Sequence, residues 1–144
     1  MNYLSYRKAL HILNLEREKA VKAISESVQE AKKTGGEVKA DEVYRDEYVK
    51  LELIDEKISE LVTRYLINKA TLRFLPTPPV SEKEGFWERG WNTGAYYLTD
   101  KGIAEVRGII RKDMKEKMEI FSYWGGLLIG LIGAITGLMA VIKR

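Results

Sequence analysis

Residues 120–142, IFSYWGGLLIGLIGAITGLMAVI, run for 23 positions without a charged side chain, and five of them are glycine. As a helix this stretch is roughly 35 Å long, enough for a hydrocarbon core of about 30 Å. A helix apolar on every face is not what a soluble protein of 144 residues builds into its core. The stretch therefore predicts a single transmembrane helix, followed only by Lys143 and Arg144. Phe121, Tyr123 and Trp124 stand at its start, where amphipathic rings favour the headgroup layer, and are read as interface anchors.

Orientation follows from the basic residues flanking the span. Arg107, Arg111, Lys112, Lys115 and Lys117 precede it, against two basic residues after it. This bias predicts a cytoplasmic N-terminus, at the inner or plasma membrane if the source is bacterial. Arg7, Lys8 and His11 interrupt the N-terminal apolar residues, so no signal-peptide core is expected and the arrangement reads as tail-anchored. Within the span, Gly126, Gly130, Gly133 and Gly137 are spaced by four, three and four, and Ala140 extends the row. Lipid gives apolar surfaces no drive to associate, so close backbone approach across small residues must supply it. This face is the candidate for helix–helix association, and a homo-oligomer is the expected consequence.

Outside the span the chain is polar and nearly neutral. Lys143 and Arg144 supply two of the 24 basic residues, which leaves residues 1–119 with 22 Lys and Arg against 21 Asp and Glu. The pI near 9.0 thus overstates the basicity of this part. A net of +1 lacks the electrostatic footprint of a nucleic-acid binder. The absence of cysteine excludes disulfides, thiolate metal sites and thiol nucleophiles, and suits a reducing compartment. His11 has no second ligand at metal-binding spacing, and no phosphate-cradling loop, zinc-protease motif or nucleophile elbow occurs. No catalytic, cofactor or metal site is expected, and the chain does not read as an enzyme.

Residues 3–33 and 39–75 read as two long helices joined at Thr34-Gly35-Gly36. In the second, Tyr44, Leu51, Ile54, Ile58, Leu61, Tyr65, Leu72 and Leu75 recur at spacings of three and four, as in a coiled-coil seam. In the first, Tyr3, Tyr6, Leu10 and Leu13 begin a seam that Val21, Ile24, Val28 and Ala31 resume in a shifted frame. Two helices of similar length and a short turn predict an antiparallel hairpin. Its fold sets Arg17 opposite Asp55 or Glu52, and Val28 opposite Tyr44. The many carboxylates read as an exposed, salt-bridged surface.

Pro76, Pro78 and Pro79 end the second helix. Residues 76–98 form a linker and a small aromatic unit, with strands around 86–91 and 95–98 joined at Asn92-Thr93-Gly94. Two short strands are marginal alone, so Phe86, Trp87 and Trp91 are expected to pack against the helices. Left uncovered, the same three would make a partner surface. Thr99 is suited to cap a helix whose apolar stripe is Ile103, Val106, Ile110, Met114 and Met118. Nothing breaks that helix before residue 142, so a juxtamembrane part, 99–119, continues into the span. The fold class is mainly α: a helical hairpin over 1–75, the small β unit, then one helix entering the membrane.

The segment YYLTDKGIAEV, residues 96–106, resembles the stretch joining wing to final helix in winged-helix repressors of the multidrug-resistance-regulator and PadR-like kinds. The resemblance covers about a dozen residues and implies a β-hairpin leading into a helix, and with it DNA binding. Residues 39–75 depart from that pattern, reading as one helix where a helix-turn-helix belongs. The primary expectation is a self-associating membrane scaffold whose hairpin presents a platform to an unidentified protein partner. A membrane-permeabilising effector of toxin or holin-like kind is the alternative, and a membrane-tethered winged-helix protein the third.

Overall fold

The computed structural model describes residues 1–34 and 37–142, with side chains described except at 31, 32, 34, 37–44, 82, 137 and 140–142. The chain is mainly helical, with a two-stranded antiparallel sheet, and divides into two units, Met1–Arg107 and Gly108–Arg144.

The first unit opens with α1, Tyr3–Thr34. Asn2 caps it: the Ser5 N–H donates to Asn2 Oδ1 at 2.8 Å, supplying a partner to one of the orphan first-turn amides. The second helix, α2, covers Glu37–Thr71 and packs antiparallel along α1. Tyr6 stacks on Tyr65, with ring centroids 4.1 Å apart. Farther along, Arg17 Nε donates to Asp55 Oδ1 at 2.7 Å, the register expected of a hairpin turning at the glycine pair. The glycine pair itself, and the expected pairing of Val28 with Tyr44, lie outside the described residues.

One detail of the seam differs from the sequence reading. On the first helix Tyr6 and Ala20 are buried, and Leu10, Leu13, Ile24, Ser27 and Val28 are half-buried. Of the resumed seam, Val21 is 43% exposed and does not take part, whereas Ile24 and Val28 are half-buried as expected; the side chain of Ala31 lies outside those described. Arg17 takes the seam position between Leu13 and Ala20, and its partner Asp55 makes that polar entry tolerable. Tyr3 and Leu72, also read as seam residues, are exposed.

A second departure concerns α2, which has two packed faces. Leu51, Ile54, Ile58, Leu61 and Tyr65 are half-buried on the seam stripe. Glu56, Thr63, Leu66 and Ala70 are buried on an adjacent stripe, again at spacings of seven, three and four. This second stripe receives the β-hairpin. The helix ends earlier than the prolines require. Leu75 N–H donates to Ala70 O and Phe74 N–H to Thr71 O, each at 3.0 Å, in a Schellman arrangement. Phe74 holds the left-handed position, φ 56°, that glycine usually fills.

After a 3₁₀ turn at Glu82–Glu84 come β1, Trp87–Arg89, and β2, Tyr96–Leu98. They pair antiparallel with Trp87 opposite Leu98 and Arg89 opposite Tyr96. The first strand is shorter than expected. Gly90 N–H donates to Ala95 O at 2.8 Å and Gly94 N–H to Gly90 O at 2.9 Å, so the loop begins at Gly90. Trp87 and Leu98, facing one another across the ladder, are both buried.

The final helix, α3, runs Asp100–Ile142. Thr99 caps it as expected, with Gly102 N–H donating to Thr99 Oγ1 at 3.2 Å and the hydroxyl itself donating to Gly85 O at 2.7 Å. Val106 is fully buried, whereas Met114 and Met118 farther along the same stripe are exposed.

Candidate functional site: the apolar helix and the aromatic hairpin

In the second unit, α3 carries the charge-free run. It is the one helix among the described residues long and apolar enough to cross a membrane, and none of its apolar window is buried inside the chain. Leu128, Ile129, Leu131, Ile132, Ile135, Leu138 and Met139 are each at least half exposed. So much uncovered aliphatic surface is far beyond what water tolerates on a monomer. Phe121, Tyr123 and Trp124 are also exposed at the start of the run, with the last two rings edge to face. The Thr136 hydroxyl donates to the carbonyl oxygens of Ile132 and Gly133, both at 2.9 Å. Its polarity is thereby satisfied within the helix, as a lipid setting requires.

Gly126, Gly130 and Gly133 share a helix face, and a Cβ added at any of them would meet no atom within 4 Å. The row is open along its described length. The surroundings of Gly137 and Ala140 lie outside the described residues. Ahead of the run, Lys117 pairs with Asp113 and Lys115 with Glu119 at helical spacing, so acids offset part of the basic flank.

In the first unit, the three aromatic residues read together from the sequence separate into different roles. Trp87 is buried and donates its indole N–H to Pro78 O at 3.2 Å, so the proline segment lies over it. Phe86 is half-buried beneath Lys101, whose ammonium stands 4.4 Å from the ring centroid. Trp91 is 92% exposed, and the expectation that it packs against the helices is corrected. The reason is the loop geometry. Leaving the ladder at Gly90, the chain turns Trp91 outward and spends its next two amides on α2.

Those amides make a lock that the sequence reading missed. Glu56 accepts from the backbone N–H groups of Asn92 at 3.0 Å and Thr93 at 2.8 Å, and from Asn92 Nδ2 at 3.1 Å. Burial pushes this carboxyl up, but the donors of Asn92 and Thr93 outweigh it and hold it below the ordinary carboxylate value. Gly90 leaves it room: a Cβ there would come within 2.6 Å of Thr93 Oγ1 and 2.7 Å of Glu56 Oε2, so those side chains would have to shift. About two helical turns farther along α2, buried Thr63 Oγ1 accepts the Leu98 N–H at 2.8 Å. Two side chains of one helix thus fasten both the tip and the open edge of the hairpin. Glu56 sits among carboxylates at helical spacing, so nothing in the pattern marked it as buried.

Beside the lock is an open groove of about 630 Å³, lined by residues that include Glu52, Ser59, Glu88, Trp91 and Tyr97. Its negative charge is felt at Tyr97, whose hydroxyl is pushed up by burial first and then by Glu88 and Glu56. Asp55, on the same groove, is engaged by Arg17. Among the described residues no three His, Asp or Glu side chains gather as a metal site. The structure of residues 96–106 is a strand running into a helix, as the winged-helix resemblance implies, but α2 is one unbroken helix. No known protein family, curated protein or solved structure matches the chain.

Proposed function

We propose that this chain is a non-enzymatic single-pass membrane protein, with its N-terminus in the cytoplasm, that self-associates through the glycine face of its span. The observation that carries the reading is the run of residues 120–142, charge-free over 23 positions, with open space over Gly126, Gly130 and Gly133. In lipid an open glycine row lets a second backbone come close, where dispersion and weak Cα–H contacts replace the absent hydrophobic drive. The hairpin and aromatic unit then act as a cytosolic platform. Trp91, exposed on a loop fastened by Glu56, is the aromatic side chain offered to a partner protein. Tryptophan held in this way contacts a partner at small entropic cost.

Replacing Gly130 and Gly133 with leucine fills the row. Crosslinking of the full-length protein in membranes is expected to yield less oligomer for this variant than for the parent. Unchanged yield would remove the glycine face from the account. A water-filled bundle is the less supported alternative. The Thr136 hydroxyl is turned back on its own helix, which leaves no polar stripe for a lumen.

A further inference from the structure

The helical hairpin is electrically lopsided. Residues 1–15 and 61–81 contain no Asp or Glu, yet include Arg7, Lys8 and Lys69. Residues 16–60 between them hold 13 acids against nine Lys and Arg. The two acid-free segments come together in space, because Tyr6 stacks on Tyr65 and Tyr3 lies 6.4 Å from the same ring. One end of the hairpin, where α1 begins and α2 ends, therefore gathers Arg7, Lys8 and Lys69 from segments that carry no acid, while Arg64 pairs with Glu60 at 2.7 Å. The first unit also ends there, since the charge of Arg107 acts on the Tyr6 hydroxyl.

The same end exposes large apolar side chains. Leu4 is 77% exposed, Leu72 74% and Phe74 97%. Tyr3, Ile12 and Leu15 are exposed as well, and Leu4, Ile12 and Leu15 lie on the side of α1 away from its seam. Phe74 is the most telling of these. A bulky residue at φ 56° strains the backbone at a position where glycine would relieve it, and the ring so presented touches nothing that would repay the strain. Apolar and aromatic groups flanked by Arg7, Lys8 and Lys69 match the boundary of an anionic bilayer on both counts. A nucleic acid would use the charges but not the aliphatic surface.

We propose that this end of the hairpin, centred on Leu4, Leu72 and Phe74 and flanked by Arg7, Lys8 and Lys69, docks onto the surface of a membrane rich in anionic lipid. The inference rests on membrane residence of the chain, and adds a second, peripheral contact made by the first unit. It gives that unit a fixed face toward lipid, leaving Trp91 on another element for a protein partner.

The chain has no cysteine, so one thiol introduced at Thr71 labels the exposed last turn of α2 while keeping Leu72 and Phe74. Full-length Thr71→Cys and, as a distant control, full-length Val49→Cys carry an environment-sensitive dye. Each is reconstituted in phosphatidylcholine vesicles with or without about one-third phosphatidylglycerol and a headgroup-level nitroxide lipid. The dye at position 71 should shift to the blue and be quenched at least twofold more with phosphatidylglycerol, and high salt should reverse the gain. The dye at 49 should not respond. Adding Arg7→Gln and Lys8→Gln, both on the exposed surface, should remove at least half of the response without changing the circular dichroism. Equal quenching at 71 and 49, or equal quenching in neutral and anionic vesicles, overturns the proposal. So does a response at 71 to duplex DNA over neutral vesicles, which would assign the surface to polyanions in general. Alkaline extraction of the same samples reads the membrane span separately: an extracted protein fails that reading, whereas an unquenched dye on a retained protein fails only this one.

Discussion

The Glu56 carboxylate on α2 accepts the backbone N–H of Thr93 at 2.8 Å, joining the middle of a long helix to the tip of a β-hairpin 37 positions later. Glu56→Ala leaves the amides of Asn92 and Thr93 without their acceptor. The expected cost is about 2 kcal/mol, since hydrogen bonds to a charged group contribute about 1.5–3 kcal/mol. Urea unfolding followed by tryptophan fluorescence measures it, because Trp87 and Trp91 flank the lock.

The same carboxylate gives the fold a pH dependence of defined sign. Its value in the folded chain is below the ordinary one despite burial, through the donors of Asn92 and Thr93. Its contribution is therefore fully present above the ordinary glutamate range, near pH ~4.3, and is lost as pH falls through the lowered value. Glu56→Gln keeps the shape and removes this component. The difference in midpoint between parent and variant should be constant above pH ~5 and shrink at lower pH. A difference that grows on acidification would reverse the assignment.

Two glycines of α3 should respond in opposite directions to the same change. A Cβ at Gly102 would run into the backbone carbonyl oxygen of Phe86, which cannot move without disturbing the Thr99 N–H bonded to it at 3.0 Å. At Gly108 a Cβ meets nothing within 4 Å. Gly108→Ala should therefore stabilise by up to about 1 kcal/mol, the ordinary helix gain of alanine over glycine. Gly102→Ala should destabilise in spite of that gain, by about 1–3 kcal/mol as an overpacked site does. Thermal unfolding of the pair by circular dichroism tests both.

Phe74→Gly should stabilise by about 1 kcal/mol, the cost of holding an L-residue in the left-handed region. The ring is 97% exposed, so nothing offsets the relief. A loss of stability would show that the ring makes contacts within the folded chain.

The parts of this fold legible in the sequence were those set by apolar periodicity and by strong local preferences. The charge-free run, the two long helices, the Thr99 cap and the Arg17–Asp55 register all follow from spacing along one or two helices. What stayed hidden depended on tertiary placement of polar groups. Glu56 and Thr63 belong to a second buried stripe, but a glutamate among glutamates carries no mark of burial. Its partners are backbone amides, which have no letter in the sequence. Val21 falls off the seam of α1 for a related reason: Arg17 is a seam residue because Asp55 is there to meet it, so a pattern built on apolar positions skips from Leu13 to Val21. Trp87 and Trp91 differ only in which side of Gly90 they fall, and the loop decides which is covered.

The account turns on residues 120–142 lying within a bilayer, and alkaline carbonate extraction of membranes from cells expressing the full-length chain addresses this directly. The protein should remain in the sedimented membranes at high pH and leave them only with detergent. Release into the supernatant by carbonate alone would contradict the account.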